Sequence, residues 1–181
     1  MNTCKELERF LQSLHLDLDA GGYQPSLRDG LSQLGDVRPC ISQGLEDSVG
    51  RADWRLFNRY ILAALLQPDP SMAAAIWPVL DRWNDIFASR SDDRSELPNL
   101  EDIADVLGMA GNPGAIPSLE RALADEPPWD EYHQLAKKCL RALASLDTAD
   151  SISALRRAAR SKVPEISQEA VAWLEAKHLE P

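Results

Sequence analysis

The chain has 181 residues, and its 29 acidic side chains outnumber 19 basic ones to leave a formal charge of −10 near neutral pH. With 44% hydrophobic and 27% charged residues it can bury the core of one ordinary domain, which excludes global disorder and the collagen-like and disulfide-framework classes. The acidic excess is even, with 10 basic and 15 acidic groups in residues 1–98 and 9 and 14 in residues 99–181. Proteins hold phosphate backbones with Lys and Arg, so a surface of this sign disfavours nucleic acid and favours a basic protein partner.

Cys4, Cys40 and Cys139 are odd in number and form no C-x-x-C pair, so a reduced compartment is expected. Cys139 falls on an apolar helical stripe, where a buried thiol acts as a small hydrophobe. The N-terminal stretch MNTCKELERFLQSLHLDLD lacks the uninterrupted apolar run of a signal peptide, and no segment approaches the ~20 apolar residues of a membrane span. A cytoplasmic protein without membrane association is expected.

Apolar positions recur at helical spacing along nearly the whole chain, and period-two alternation is confined to LHLDLD at Leu14 to Asp19. Leu7, Phe10, Leu11 and Leu14 form the first stripe, behind Thr3 and Glu6 at capping-box spacing, and Gly21 and Gly22 end that unit. Pro25 opens a short helical stretch carrying Leu27, Leu31 and Leu34, which Gly35 stops; residues 39–49 follow with Ile41, Leu45 and Val49. Residues 52–66 form the clearest amphipathic helix, with Trp54, Phe57, Ile61, Leu62, Leu65 and Leu66 on one face and QPDP after it. Residues 71–89 read as helical again, kinked or split by Pro78, and residues 90–98 as a loop. One all-helical domain over residues 1–181 is expected, with atypical helices over 1–89.

From residue 99 to 177 the chain repeats. LGMAGNPGAIPSLERA from Leu107 aligns with LASLDTADSISALRRA from Leu143 at a shift of 36, and the same shift sets Leu135 on Val171 and Ala136 on Ala172. Two helices per unit with a turn rich in Gly, Asn, Pro and Asp mark an α-α superhelix, whose units bury their apolar faces by stacking on one another. The stretch IADVLGMAGNPGAIPSLERAL from Ile103 resembles the HEAT-like repeats first noted in phycobilin lyases, which run A-x-x-L-G, a polar turn, A-I-x-x-L and an acidic turn, here Asp125 and Glu126. ALLQPDPSMAAAI from Ala64 is a weaker echo, implying degenerate stacking in the N-terminal half. Where the family usually has a Val-Arg pair, this chain has Tyr132-His133 and Ile166-Ser167, a departure from the usual inter-repeat Asp-to-Arg ladder. The resemblance implies an architecture; the same repeats serve scaffolds, inhibitors, lyases and maturation factors.

The most unusual local sequence is PPWDEYH at Pro127 to His133, in which Trp129 and Tyr132 bracket Asp130 and Glu131. Trp and Tyr carry a large share of interface energy and rim carboxylates select cationic partners, so a partner-binding turn is one reading. The other is that Trp129 covers a core edge and the acids cap the next helix. Glu101, Asp102 and Asp105 follow Asn99; they lack metal-loop spacing and suit either a helix N-terminus or an acidic binding surface. Two basic groups, Arg51, Arg55 and Arg59, and Arg156, Arg157, Arg160 and Lys162, are expected to be satisfied by neighbouring carboxylates. His15, His133 and His178 are dispersed, and no nucleophile elbow, zinc-protease helix, phosphate loop or dinucleotide turn is present, so no catalytic residue, metal or cofactor is assigned.

These features point to a non-enzymatic protein-binding module. An acidic inhibitor or immunity protein that neutralises a basic bacterial protein such as a toxin domain fits best. The alternative is a lyase-like or maturation factor that handles a cofactor or a client protein, as the resemblance to phycobilin lyases implies. The atypical N-terminal helices and the C-terminal KHLEP suit a complete chain with its own caps.

Overall fold

The structure is a computed structural model that describes residues 3–14, 23–88, 97–125, 130 and 132–180. Every regular element among these residues is helical. The α-helices are α1 (Thr3–Ser13), α2 (Tyr23–Leu34), α3 (Arg38–Arg51), α4 (Trp54–Leu66), α5 (Ala73–Asp81), α6 (Trp83–Ala88), α7 (Leu100–Ala110), α8 (Ile116–Ala124), α9 (Gln134–Leu146), α10 (Ala149–Ala158) and α11 (Pro164–Ala176). No helix is long and apolar enough to cross a membrane among the described residues.

The packing is a two-row stack, the arrangement of an α-α superhelix. Helices pair as α3 with α4, α5 with α7, α8 with α9 and α10 with α11; α4, α7, α9 and α11 follow one another along one row, and α3, α5, α8 and α10 along the other. The stack therefore reaches back into the N-terminal half. α1 packs on α2, α3 and α4. One core runs through all the pairs, from Leu7 and Phe57 through Ile76 and Leu107 to Leu140 and Leu174. Each such side chain contributes about 1.5–3 kcal/mol by leaving water.

The 36-residue shift holds between α7 and α9. Leu100, Ile103, Ala104, Val106, Leu107, Gly108 and Ala110 are buried in α7, and so are their counterparts Ala136, Cys139, Leu140, Ala142, Leu143, Ala144 and Leu146 in α9. Between α9 and α11 the shift fails: Val171 is half-buried and Ala172 exposed. Here Ala136, Leu140 and Ala144 correspond instead to Ile166, Ala170 and Leu174, a shift of 30. The physical reason is a shorter connection: α10 ends at Ala158 and α11 starts at Pro164, whereas nine residues separate α8 from α9.

α7 and α9 make the most extensive contact in the stack, and Gly108 is the cause. A Cβ built on it would lie 2.7 Å from the Ala142 Cα. Only the absent side chain lets the two backbones approach this closely.

Two sequence expectations are corrected. The helical stretch is split into two, but not at Pro78, which lies inside α5; the break falls at Arg82 (φ −114°, ψ 17°), whose N–H donates to the Val79 carbonyl before α6 begins at Trp83. Two of the cysteines are not thiols, for Cys4 and Cys40 form a disulfide, and a reduced compartment no longer follows from the cysteine count. Cys139 is the free, buried thiol. The LHLDLD alternation beyond Leu14 and the loop up to residue 96 lie outside the described residues.

Candidate functional site

The parallel run of α7 and α9 brings the two predicted acidic segments to one edge of the stack. α7 starts where α4 fixes it: Asn58 donates through Nδ2 to the Leu97 carbonyl (2.8 Å), and its Oδ1 accepts from the Asn99 N–H (3.0 Å). Asn99 then caps α7, its Oδ1 accepting from the N–H groups of Glu101 (3.1 Å) and Asp102 (3.2 Å), while its Nδ2 donates to Asp102 Oδ2 (2.9 Å). These bonds satisfy the donors that every helix start leaves open. Asn58 carried no signal in the sequence beyond being a polar residue on a largely apolar helix.

Asp130 does the equivalent for α9. Its two carboxylate oxygens accept from the N–H groups of Gln134 (2.7 Å) and Leu135 (2.8 Å), so the capping alternative accounts for this side chain. His133, at φ 55°, turns the chain into the helix, and its Nε2 lies 3.9 Å from Glu165 Oε2 at the start of α11. Tyr132 is 73% exposed, one of two large hydrophobic side chains so placed among the described residues. Trp129 and Glu131 lie outside the described residues.

Electrostatics tie the edge together. Glu101 is half-buried, and desolvation, then the nearby Asp130 charge, push its carboxyl above the ordinary glutamate range. Desolvation likewise raises Asp102, against the pull of Lys138. Lys138 is itself committed, because it and Arg141 both pair with Asp105. Asp105 is therefore, with the capping Asp130, a predicted binding residue that the fold uses internally. Glu101, Asp102 and Tyr132 remain at the edge, and neither carboxylate forms an ion pair with a cation among the described residues.

Four residues of the basic clusters have internal partners, and carboxylates are only part of them. Arg59 donates to the carbonyls of Leu11 (2.8 Å) and Leu14 (3.2 Å) at the end of α1, and Arg51 donates to the Asp47 carbonyl and lies 4.0 Å from Glu8. Arg157 pairs with Glu120 (2.6 Å), and Arg156 donates to the Glu180 carbonyl. Burial pushes the Cys139 thiol well above its ordinary range, which suits a packing role and disables it as a nucleophile. No group of three His, Cys, Asp or Glu residues could hold a metal ion among the described residues. No protein-family model, curated protein or solved structure matches the chain.

Proposed function

We propose that this chain is a protein-binding module that docks a basic protein on the edge formed by the starts of α7 and α9. One observation carries the proposal: Glu101 and Asp102 sit half-buried in the first turn of α7, with the Asp130 charge near Glu101 and Tyr132 exposed in the turn before α9. Carboxylates held half out of water and close to one another gain from an incoming cation, and an exposed Tyr offers a flat ring on which a guanidinium can stack. Within this proposal the protein is an inhibitor or immunity protein of a toxin-like enzyme, and its repeats are of the HEAT-like type. A cytoplasmic site of action also belongs here, and there the Cys4–Cys40 bond would be exposed to reducing thiols.

Capture from the native host at moderate salt tests the proposal, with wild type and a Glu101→Gln/Asp102→Asn/Tyr132→Ala variant run in parallel. The expected result is one basic protein at near-equal amount, released by high salt and absent from the variant. A partner that the variant retains would remove the edge from the proposal. Capture of no basic protein by the wild type would overturn the binding function itself.

A further inference from the structure

Cys4 in the first turn of α1 and Cys40 in the first turn of α3 are joined by a disulfide, with their Cα atoms 4.9 Å apart. The bond spans a sequence separation of 36 residues that includes all of α2. Non-covalent contacts hold α1 as well. Leu7 and Leu11 are fully buried, and the Phe10 ring fills the space a side chain at Gly30 would occupy. Glu8 lies 4.0 Å from Arg51, and the Arg59 guanidinium meets the last carbonyls of the helix. α1 rests on α3 and α4, the first pair of the stack, so its docking decides whether that end of the core stays covered.

We infer that the Cys4–Cys40 bond is a redox-sensitive staple that determines whether α1 stays docked on the first helical pair. Closing it takes two protons and two electrons from the two thiols. With glutathione as the exchange partner, one oxidised glutathione accepts them and leaves as two molecules of the thiol, by way of a mixed disulfide. The reverse reaction uses two reduced glutathiones. While the bond stands, the loop it closes restricts the open ensemble of α1. Once it is reduced, the departure of α1 is a local opening opposed by Leu7, Leu11, Phe10 and Leu14 and by the contacts of Arg51 and Arg59. Cys139 is fully buried in α9 and does not compete for either partner.

The test uses the full chain, purified without reductant, then reduced with excess glutathione and returned to oxidised glutathione. Thiol titration in denaturant is expected to count one thiol in the oxidised chain and three in the reduced one. Amide exchange over residues 5–13 should accelerate about tenfold or more on reduction, revert on re-oxidation, and stay constant in α7 and α9. A Cys4→Ser/Cys40→Ser chain should show the reduced pattern in either buffer; should that variant fail to fold, the reversible change in the wild type decides. Three thiols after incubation in oxidised glutathione, or α1 exchange indifferent to redox state, would overturn the inference. Neither result bears on partner binding at the α7 and α9 edge.

Discussion

Arg141 occupies in α9 the position that Asp105 occupies in α7, thirty-six residues earlier, and the two side chains are paired. The other row repeats the logic. Arg121 in α8 reaches back to Asp81 in α5, and Arg157, again thirty-six residues on, reaches back to Glu120 in α8. In each case a cation on the later helix meets a carboxylate on the earlier one, so neighbouring units are joined by charge as well as by the core. Three such pairs run along the stack among the described residues.

The rungs should differ in strength. The Asp105 side chain is 13% exposed and holds two cations, so Asp105→Ala is expected to cost about 1–3 kcal/mol in urea unfolding by stranding Lys138 and Arg141. Glu120→Ala acts on a pair exposed at 30% and 60% and should cost under about 1 kcal/mol. Equal costs would show that burial does not set the hierarchy.

Gly108 and Gly50 make a matched comparison. Gly108→Ala forces a methyl group against the Ala142 backbone and is expected to destabilise by about 1–3 kcal/mol or more. Gly50→Ala meets nothing within 4 Å near the end of α3 and should stabilise by up to about 1 kcal/mol through helix propensity. Thermal unfolding of the two variants checks both signs.

Leu119, Leu140 and Leu155 are each fully buried in the repeat core. Truncation to Ala should cost about 2–5 kcal/mol at each site, measured by denaturant unfolding. A cost well under 1 kcal/mol at any of them would mean that its helix is turned the wrong way.

Tyr60 links stability to alkaline pH. Its ring lies against Gly44 and is almost wholly buried, and desolvation pushes its hydroxyl up to about 12 from the ordinary 10.0. The folded-state value is the raised one, so the stabilisation is complete below pH 10 and is lost as pH climbs toward 12, where the unfolded chain ionises first. Tyr60→Phe should flatten that alkaline loss, and absorbance titration of the native wild type should show one late-ionising phenol.

Much of the architecture was written in the spacing of apolar residues. The 36-residue register of α7 on α9 follows from buried positions that recur at helical intervals, and the Asn-Pro and Asp-Thr turns mark where helices restart. What spacing does not encode is the length change before α11, because the resemblance of Leu135 to Val171 survives in letters while the shortened turn rotates the helix. The disulfide was hidden for a similar reason: a pair 36 residues apart has no local signature, and only the packing of α1 on α3 brings Cys4 to Cys40. At the candidate site, acidity and the exposed Tyr132 could be read from the sequence. The division of labour could not, since Asp130 as a cap and Asp105 as an internal anchor depend on which backbone and which cations lie opposite.

The most direct test of the docking edge is titration calorimetry of the captured basic protein against three forms of the chain. These are wild type, Glu101→Lys/Asp102→Lys at the edge, and Asp29→Lys/Glu46→Lys, which changes the net charge equally at exposed positions on α2 and α3. A loss of tenfold or more in affinity at the edge, about 1.4 kcal/mol, with less than about threefold in the control, is the expected result. Equal losses in the two variants would mean that net charge alone drives binding and would contradict a docking site at the start of α7 and α9.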